Sequence, residues 1–269
     1  MRLGFVGAGR IGRPMVRRLV AAGHTVRVLS RSDAALAALT EDGAMPVSTL
    51  AAVADGAGAV LICVHTDEQV REVGPALIDA MVPGALLIVH TTGNPQTADA
   101  LAAHGGVEVI DAPVSGGPHD VAAGAITLLV GGAADAVERA RPVLAAYGDP
   151  ILHVGGRGSG QRVKLINNAL FAANVGLLAA AVDLGARLGV TEQALLDALP
   201  QGSANSFALA GVARAGSVAG FAAAAGEFIG KDVAVVRRVV AELGGDLGAL
   251  ADAHRALADL IPAHARALA

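Results

Sequence analysis

Cysteine and aromatic side chains are almost missing from this 269-residue sequence. Cys63 is the single cysteine, tryptophan is absent, and aromatic residues make up 2% of the chain. One cysteine excludes an intrachain disulfide and fits a reducing compartment. Apolar residues still reach 54%, so the core must be built from small side chains that let helices approach closely. The length allows one large or two moderate domains.

Long hydrophobic runs and basic patches are lacking as well. The most apolar run, 170–182, is shorter than the ~20 residues that span a bilayer, and the amino terminus lacks the length of a signal peptide. The net charge is -4 and the arginines are dispersed, which argues against nucleic acid as a partner. The eight histidines have no metal-ligand spacing. We therefore expect a soluble cytoplasmic protein without a membrane partner or a metal site.

Lysine is scarce too, because only Lys164 and Lys231 occur among the 20 basic residues. Arginine stays charged in proteins, whereas a buried lysine can shift its pKa and exchange a proton. Lys164 lies near the start of a long apolar stretch, and Asn168 follows four residues later. On a helix these side chains share a face one turn apart. We predict Lys164 as the catalytic residue; the alternative is a surface lysine whose stem covers apolar neighbours.

A glycine-rich loop follows the first apolar segment. Residues 3–6 are typical of a strand, 7–12 match G-x-G-x-x-G, and a helix pattern follows. In that context the glycines permit a tight turn, approach of a pyrophosphate, and close helix–strand packing. The alternative is an ordinary glycine turn. We predict a dinucleotide site with the candidate residues Gly7, Gly9, Arg10, Ile11 and Gly12.

The end of the second strand bears on the cofactor. An NAD site places an acidic residue there for the ribose 2′-hydroxyl, but this chain has Arg31 between Ser30 and Ser32. A guanidinium with two hydroxyls suits a 2′-phosphate, so we predict NADP(H) over NAD(H). The alternative is a solvated arginine at a strand end.

Strand and helix patterns alternate up to about residue 158, and the remainder is helical. This predicts an α/β protein: a Rossmann-type doubly wound sheet in 1–158, then an all-α domain in 159–269, joined by a long interdomain helix. Loops after the strands should line a cofactor cleft, where His65 and His90 rank below Lys164 as acid–base groups. Residues 226–232 should open a helix, which would put Lys231 near its positive end.

Ser115, Gly116 and Gly117 follow another apolar strand. A hydroxyl beside exposed backbone N–H groups forms a small nest suited to a carboxylate. A plain exit from the strand into a turn is the alternative.

The chain resembles the β-hydroxyacid dehydrogenase family, which includes 3-hydroxyisobutyrate dehydrogenase, tartronate semialdehyde reductase and glyoxylate/succinic semialdehyde reductase. Four separated motifs carry the resemblance in order: 7–15, 111–117, 158–168 and 231–232. The resemblance implies that Lys164 transfers a proton, that Asn168 orients the substrate, and that the 115–117 nest holds its carboxylate. It further implies cofactor contacts from Val64, His65, Gln69, Thr92, Lys231 and Asp232.

The same resemblance implies a small carbonyl or hydroxyacid substrate that bears a carboxylate, and a homodimer or homotetramer. Departures such as His65 leave the substrate open. Three alternatives stay open beside this reading. They are imine reduction on the same scaffold, the phosphogluconate dehydrogenase branch, and a non-catalytic dinucleotide-binding sensor. The presence of Lys164 speaks against the first, Lys164 together with Asn168 speaks against the third, and the length speaks against the second.

Overall fold

A computed structural model describes residues 1–30 and 33–258. The chain divides into two compact units that meet between Lys164 and Leu165. The sequence-based boundary at 158/159 marks the start of a helix, and the division by packing falls six residues later, within that helix.

The first unit is built on a parallel sheet that becomes antiparallel at one side. Its strand order is β3-β2-β1-β4-β5-β6-β8-β7, and β9 pairs with β8. Strands β1 to β6 are parallel, β8 is antiparallel to β6 and β7, and β9 is parallel to β8. The strands are β1 (Arg2–Val6), β2 (Thr25–Leu29), β3 (Met45–Val47), β4 (Ala59–Ile62), β5 (Leu86–Val89), β6 (Glu108–Asp111), β7 (Val114–Ser115), β8 (Ile126–Gly131) and β9 (Gly148–Gly155).

Helices cover both faces of this sheet because its central strands are apolar throughout. In β4, Ala59 and Leu61 belong to one core cluster, whereas Val60 and Ile62 belong to a second cluster. Successive side chains point to opposite faces, so a continuous apolar run predicts burial on both. The helices are α1 (Gly12–Ala21), α2 (Asp33–Glu41), α3 (Leu50–Ala54), α4 (Asp67–Ala80), α5 (Pro95–His104), α6 (Pro118–Ala123) and α7 (Ala134–Leu144).

The second unit is helical. Helix α8 (Ser159–Arg187) begins in the first unit and continues into the second. It is followed by α9 (Glu192–Ala198), a 3-10 turn (Leu199–Gln201), α10 (Phe207–Ala215), α11 (Val218–Glu242) and α12 (Leu250–Ala258). The Thr191 hydroxyl accepts the Ala194 N–H at 3.2 Å, which makes Thr191 the cap of α9. The predicted Rossmann-type sheet followed by helices is confirmed.

One helix start was predicted wrongly. Residues 226–232 lie inside α11, which already begins at Val218, where the Ser217 hydroxyl accepts the Gly220 N–H at 2.9 Å. The alanines at 222–225 are strong helix formers and carry the helix through the less favourable glycines that follow. Lys231 therefore lies in a helix interior, and the argument from a positive helix end does not apply to it.

The long helix α8 also differs from the expectation of a short apolar run. It has 29 residues and contains an 18-residue window of mean hydropathy 1.7, so its length and composition alone would allow it to cross a membrane. A third of that window, 33%, is buried inside the structure. A core helix of a soluble protein passes the same test, so this finding is weak evidence for a membrane span.

Candidate active site

The glycine loop after β1 has the geometry of a phosphate-binding turn. Gly7 has a φ of +99°, and a Cβ there would lie 2.2 Å from the Cys63 carbonyl oxygen. A Cβ on Gly12 would lie 2.1 Å from the Gly7 carbonyl oxygen, so both positions require glycine. Gly9 is exposed, and no described residue lies within 4 Å of its Cβ position. A ligand can therefore approach the Gly9 backbone directly.

The start of α1 is left open for an anion. Ile11, the residue that precedes the helix, makes no side-chain cap within the described part of the chain, and the first turn contains no acidic residue. Arg10 beside it is exposed. The Arg13 N–H donates to the Gly9 carbonyl oxygen at 2.9 Å and Pro14 has no N–H, so the positive helix end is what favours a phosphate at this position. The loop thus fits the pyrophosphate of a dinucleotide.

Ser30 is buried at the end of β2, and its N–H donates to the Val47 carbonyl oxygen at 3.0 Å. Arg31 and Ser32 lie outside the described residues, so the 2′-phosphate contact stays a prediction.

The loops after β4 and β5 are joined by Thr91. Its hydroxyl accepts the Val64 N–H at 3.0 Å and donates to the Val64 carbonyl at 3.0 Å. The Gln69 side-chain oxygen accepts the His65 N–H at 2.9 Å and so shapes the turn into α4. His65 and Gln69 are exposed, and Thr92 is half-buried. All four predicted cofactor positions therefore lie at the edge of the sheet where β1 also ends, which is where ligands bind in such folds.

His90 is a structural residue. Its ring is buried, and burial lowers its pKa to about 4, so it is neutral at physiological pH. Nδ1 lies 2.7 Å from the Ala112 carbonyl oxygen, which can only accept, so Nδ1 carries the proton. Nε2 then accepts from the Tyr147 hydroxyl at 2.9 Å. Because the ring is neutral and both of its nitrogens are hydrogen-bonded, His90 is a weaker candidate for acid–base catalysis than Lys164.

Two residues that the sequence did not single out fix the start of α8. The Asp111 carboxyl accepts the Gly158 N–H at 2.6 Å and the Gln161 N–H at 2.8 Å. Burial raises the pKa of Asp111, and these backbone hydrogen bonds act to lower it. The buried Gln161 side chain accepts the Gly93 N–H at 3.0 Å and donates to the Thr91 carbonyl at 2.8 Å. The helix start is thereby tied to the ends of β5 and β6.

Lys164 is half-buried on α8, three residues after Gln161. Asn168 lies one turn further along the same helix and is 5% exposed. Its Nδ2 has no hydrogen-bond partner among residues 1–30 and 33–258. An unsatisfied buried donor costs about 1–3 kcal/mol, which an oxygen of a bound ligand would recover. Asn168 thus has the properties of a ligand-orienting residue.

The predicted carboxylate nest is partly occupied by the chain itself. Ser115 ends β7, and the Gly117 N–H donates to the Asp120 carboxylate at 2.7 Å. Sequence reasoning missed Asp120, although an acidic residue three positions after a helix start is typical of a reciprocal cap. One donor of the nest is therefore satisfied internally.

A cavity of about 190 Å³ lies in the helical unit, and Asp232 of α11 contributes to its wall. Lys231, beside Asp232, is half-buried. The cavity is lined by Asn168, Phe171, Phe221, Ala225, Ile229 and Asp232.

Two family descriptions match the chain in succession. Residues 2–155 match the NAD-binding domain of 6-phosphogluconate dehydrogenase. Residues 158–267 match the NAD-binding region of NADP-dependent 3-hydroxyisobutyrate dehydrogenase. The chain belongs to the 3-hydroxyisobutyrate dehydrogenase family of β-hydroxyacid dehydrogenases. The two matched regions follow each other along the chain, as the two units of the structure do.

Relatives of this family are similar over most of the chain. The 3-hydroxyisobutyrate dehydrogenase of Pseudomonas aeruginosa is 35% identical over 77% of this chain and 72% of its own length. The NAD-dependent L-serine dehydrogenase of the same species is 33% identical over 77% and 72%. The structure of Mycobacterium tuberculosis 3-hydroxyisobutyrate dehydrogenase with L-serine covers 98% of this chain and 95% of its own, at 28% identity and a TM-score of 0.87. The chain is therefore a hydroxyacid dehydrogenase that binds a nicotinamide dinucleotide.

Proposed function

We propose that this dehydrogenase uses NADP(H) to interconvert a small β-hydroxyacid and its semialdehyde or keto-acid, with Lys164 as the proton-transfer residue. The observation that carries this proposal is the anchoring of α8. Asp111 and Gln161 hold the helix start against the strand ends beside the glycine loop, and Lys164 follows on the next turn. The names of the relatives support a hydroxyacid substrate.

The proposed roles divide between binding and proton transfer. When bound, the nicotinamide accepts or supplies a hydride. Lys164 Nζ takes the hydroxyl proton during oxidation and returns it to the carbonyl oxygen during reduction. The Asn168 amide donates to a substrate oxygen, and the nest of Ser115, Gly116 and Gly117 holds the carboxylate. The cofactor is held by Gly7, Gly9, Arg10, Ile11, Gly12, Ser30, Arg31, Ser32, Val64, His65, Gln69, Thr92, Lys231 and Asp232.

The preference for NADP(H) rests on Arg31, whose guanidinium suits a 2′-phosphate. The second family description names an NADP-dependent enzyme, whereas the L-serine dehydrogenase relative is NAD-dependent. An Arg31→Asp variant should therefore reverse the ratio of kcat/KM for NADPH over NADH. An unchanged ratio would contradict the assignment of Arg31.

The reaction is tested by nicotinamide absorbance with 3-hydroxyisobutyrate, L-serine and small semialdehydes, for wild type, Lys164→Ala and Lys164→Arg. Both variants should lose at least about 100-fold in kcat, because general acid–base catalysis contributes that much and arginine cannot exchange the proton. Lys164→Arg with near-wild-type kcat would refute the role of Lys164. Tight NADPH binding without turnover on any acid would favour an imine substrate or a sensor.

We further propose a cytoplasmic homodimer or homotetramer that assembles through α8. Four large apolar residues of this helix, and Leu188 directly after its last residue, are exposed at 49–71%. At 100° per residue they fall within about 20° of one line along the helix, which makes a continuous apolar stripe. The stripe consists of Ile166, Leu170, Leu177, Leu184 and Leu188.

A further inference from the structure

Three of the five phenylalanines of this aromatic-poor chain meet in the helical unit. The ring centroids of Phe171 and Phe221 are 6.4 Å apart, and those of Phe171 and Phe207 are 6.5 Å apart. Phe207 is 78% exposed, although such a ring normally gains from burial. The cluster borders the 190 Å³ cavity, whose wall includes Phe171 and Phe221.

The cavity has a polar end and an apolar end. The earlier part of α8, with Leu165 and Ala169, packs in one core cluster with the later part of α11, with Val236 and Val239. The later part of α8, with Ala172 and Val175, packs in another cluster with Ile229, which lies earlier in α11. The two helices are therefore antiparallel, and the lining residues Asn168 and Asp232 lie at one end. The apolar lining residues follow towards the other end: Phe171, Ile229, Ala225 and Phe221.

The residues that line the cavity indicate which chemical group can bind in it. None of the six lining residues is cationic and one of them, Asp232, is acidic, so we expect the acid group of a substrate to lie elsewhere. Beyond that end the wall is aliphatic and aromatic, so an apolar group gains contacts there and a polar group finds no hydrogen-bonding side chain among the lining residues. An apolar cavity of about 150 Å³ is large enough to bind benzene, so 190 Å³ admits a ring or a branched alkyl group.

We propose that this cavity receives the C2 substituent of the substrate, and that the preferred substrates are 3-hydroxypropanoates with a branched or aromatic group at C2. This inference rests on the proposed function, because it takes Asn168 as the residue that orients the reacting end. In the oxidation, the C3 hydroxymethyl group loses a hydride to NADP⁺ and its hydroxyl proton to Lys164, which gives the aldehyde. The C2 substituent stays unchanged and contributes binding energy only.

The test is a substrate series on the wild-type protein with NADP⁺. The C2 substituents are hydrogen, methyl, isopropyl, phenyl and, as the polar competitor, the ammonium group of L-serine. Each buried CH₂ contributes about 0.8 kcal/mol, which corresponds to about fourfold. We expect kcat/KM to rise at least tenfold from methyl to phenyl. A maximum at methyl or at ammonium would overturn the inference while leaving the proposed function intact.

A filled cavity supplies the second test. Ala225→Leu should lower kcat/KM for the phenyl compound at least tenfold more than kcat/KM for 3-hydroxypropanoate, which has no C2 substituent to enter the cavity. The matched control is Ala223→Leu, the same change at an exposed position of α11, which should preserve the preference. Equal effects of the two variants on the phenyl compound would contradict the assignment of the cavity.

Calorimetry separates the two proposals. The phenyl compound is titrated into the protein with NADPH, with which a hydroxyacid cannot react. One outcome is that the wild-type protein binds the phenyl compound, that Ala225→Leu abolishes this binding, and that no compound of the series is oxidised. This outcome would support the cavity assignment and refute the proposed reaction. Turnover of 3-hydroxyisobutyrate without binding of the phenyl compound would refute the cavity assignment alone.

Discussion

Replacement of Gln161 by leucine should weaken both the fold and the reaction. The side chain bridges the Gly93 N–H and the Thr91 carbonyl at 3.0 and 2.8 Å, and leucine can satisfy neither group. Each buried group left without a partner costs about 1–3 kcal/mol, so the loss of both should lower the unfolding free energy by roughly 2–6 kcal/mol. Because a 1 Å displacement of a catalytic group can cost about 100-fold, kcat should fall at least about tenfold.

Scanning calorimetry and steady-state kinetics measure these losses. The matched control is Gln193→Leu, which removes an exposed hydrogen bond to Asp197 and should cost no more than about 0.5 kcal/mol. Equal losses of melting temperature in the two variants would refute the reasoning.

The pH dependence of the stability of a Gln161→Glu variant gives a second test of the same two hydrogen bonds. One glutamate oxygen can still accept the Gly93 N–H, but an ionised second oxygen faces the Thr91 carbonyl and raises the folded-state pKa above the free value of about 4.3. The protonated form donates to that carbonyl as glutamine does. Its stabilising contribution is therefore present at low pH and lost as the pH rises through the folded-state pKa. The stability deficit relative to wild type should shrink between about pH 8 and about pH 5, and a constant deficit would contradict the bridge.

Three further perturbations test other parts of the molecule. Burial lowers the pKa of His90 from 6.5 to about 4, so the free energy of unfolding should fall by about 3 kcal/mol as the pH falls through this range. Urea unfolding of His90→Gln at several pH values should lack this loss. Asp120→Ala should free the Gly117 N–H and lower the KM of the acid substrate about fivefold, from about 1 kcal/mol for one hydrogen bond; an unchanged KM would argue against the nest. Leu177→Asp should produce monomers in analytical ultracentrifugation, whereas Ala186→Asp, on the opposite side of α8, should not.

Local sequence signals predicted the parts of the site that depend on near neighbours. The tight turn of the 7–12 glycine loop is determined within a few residues, and the structure has it. Lys164 and Asn168 share a helix as their spacing predicted. Each of these features depends on backbone geometry over one or two turns.

Contacts between distant residues were not visible in the sequence. Gln161 bonds partners 68 and 70 residues away, and Asp111 bonds Gln161 from 50 residues away. No periodicity encodes such pairs, because they depend on the order of strands in the sheet. The wrong start of α11 has a different cause: the Ser217 cap and the alanine run at 222–225 begin the helix before residue 226.

The anchoring of α8 limits how this protein can be recombined with its relatives. A polypeptide that ended at Gly158 would contain the complete sheet, yet Asp111 would lose the Gln161 N–H, and Thr91 and Gly93 would lose the Gln161 side chain. A chimera that takes its helical half from another family member should therefore keep residues 159–164 with the nucleotide-binding half. The nucleotide-binding unit is therefore complete only with the first residues of α8, the helix that continues into the helical unit.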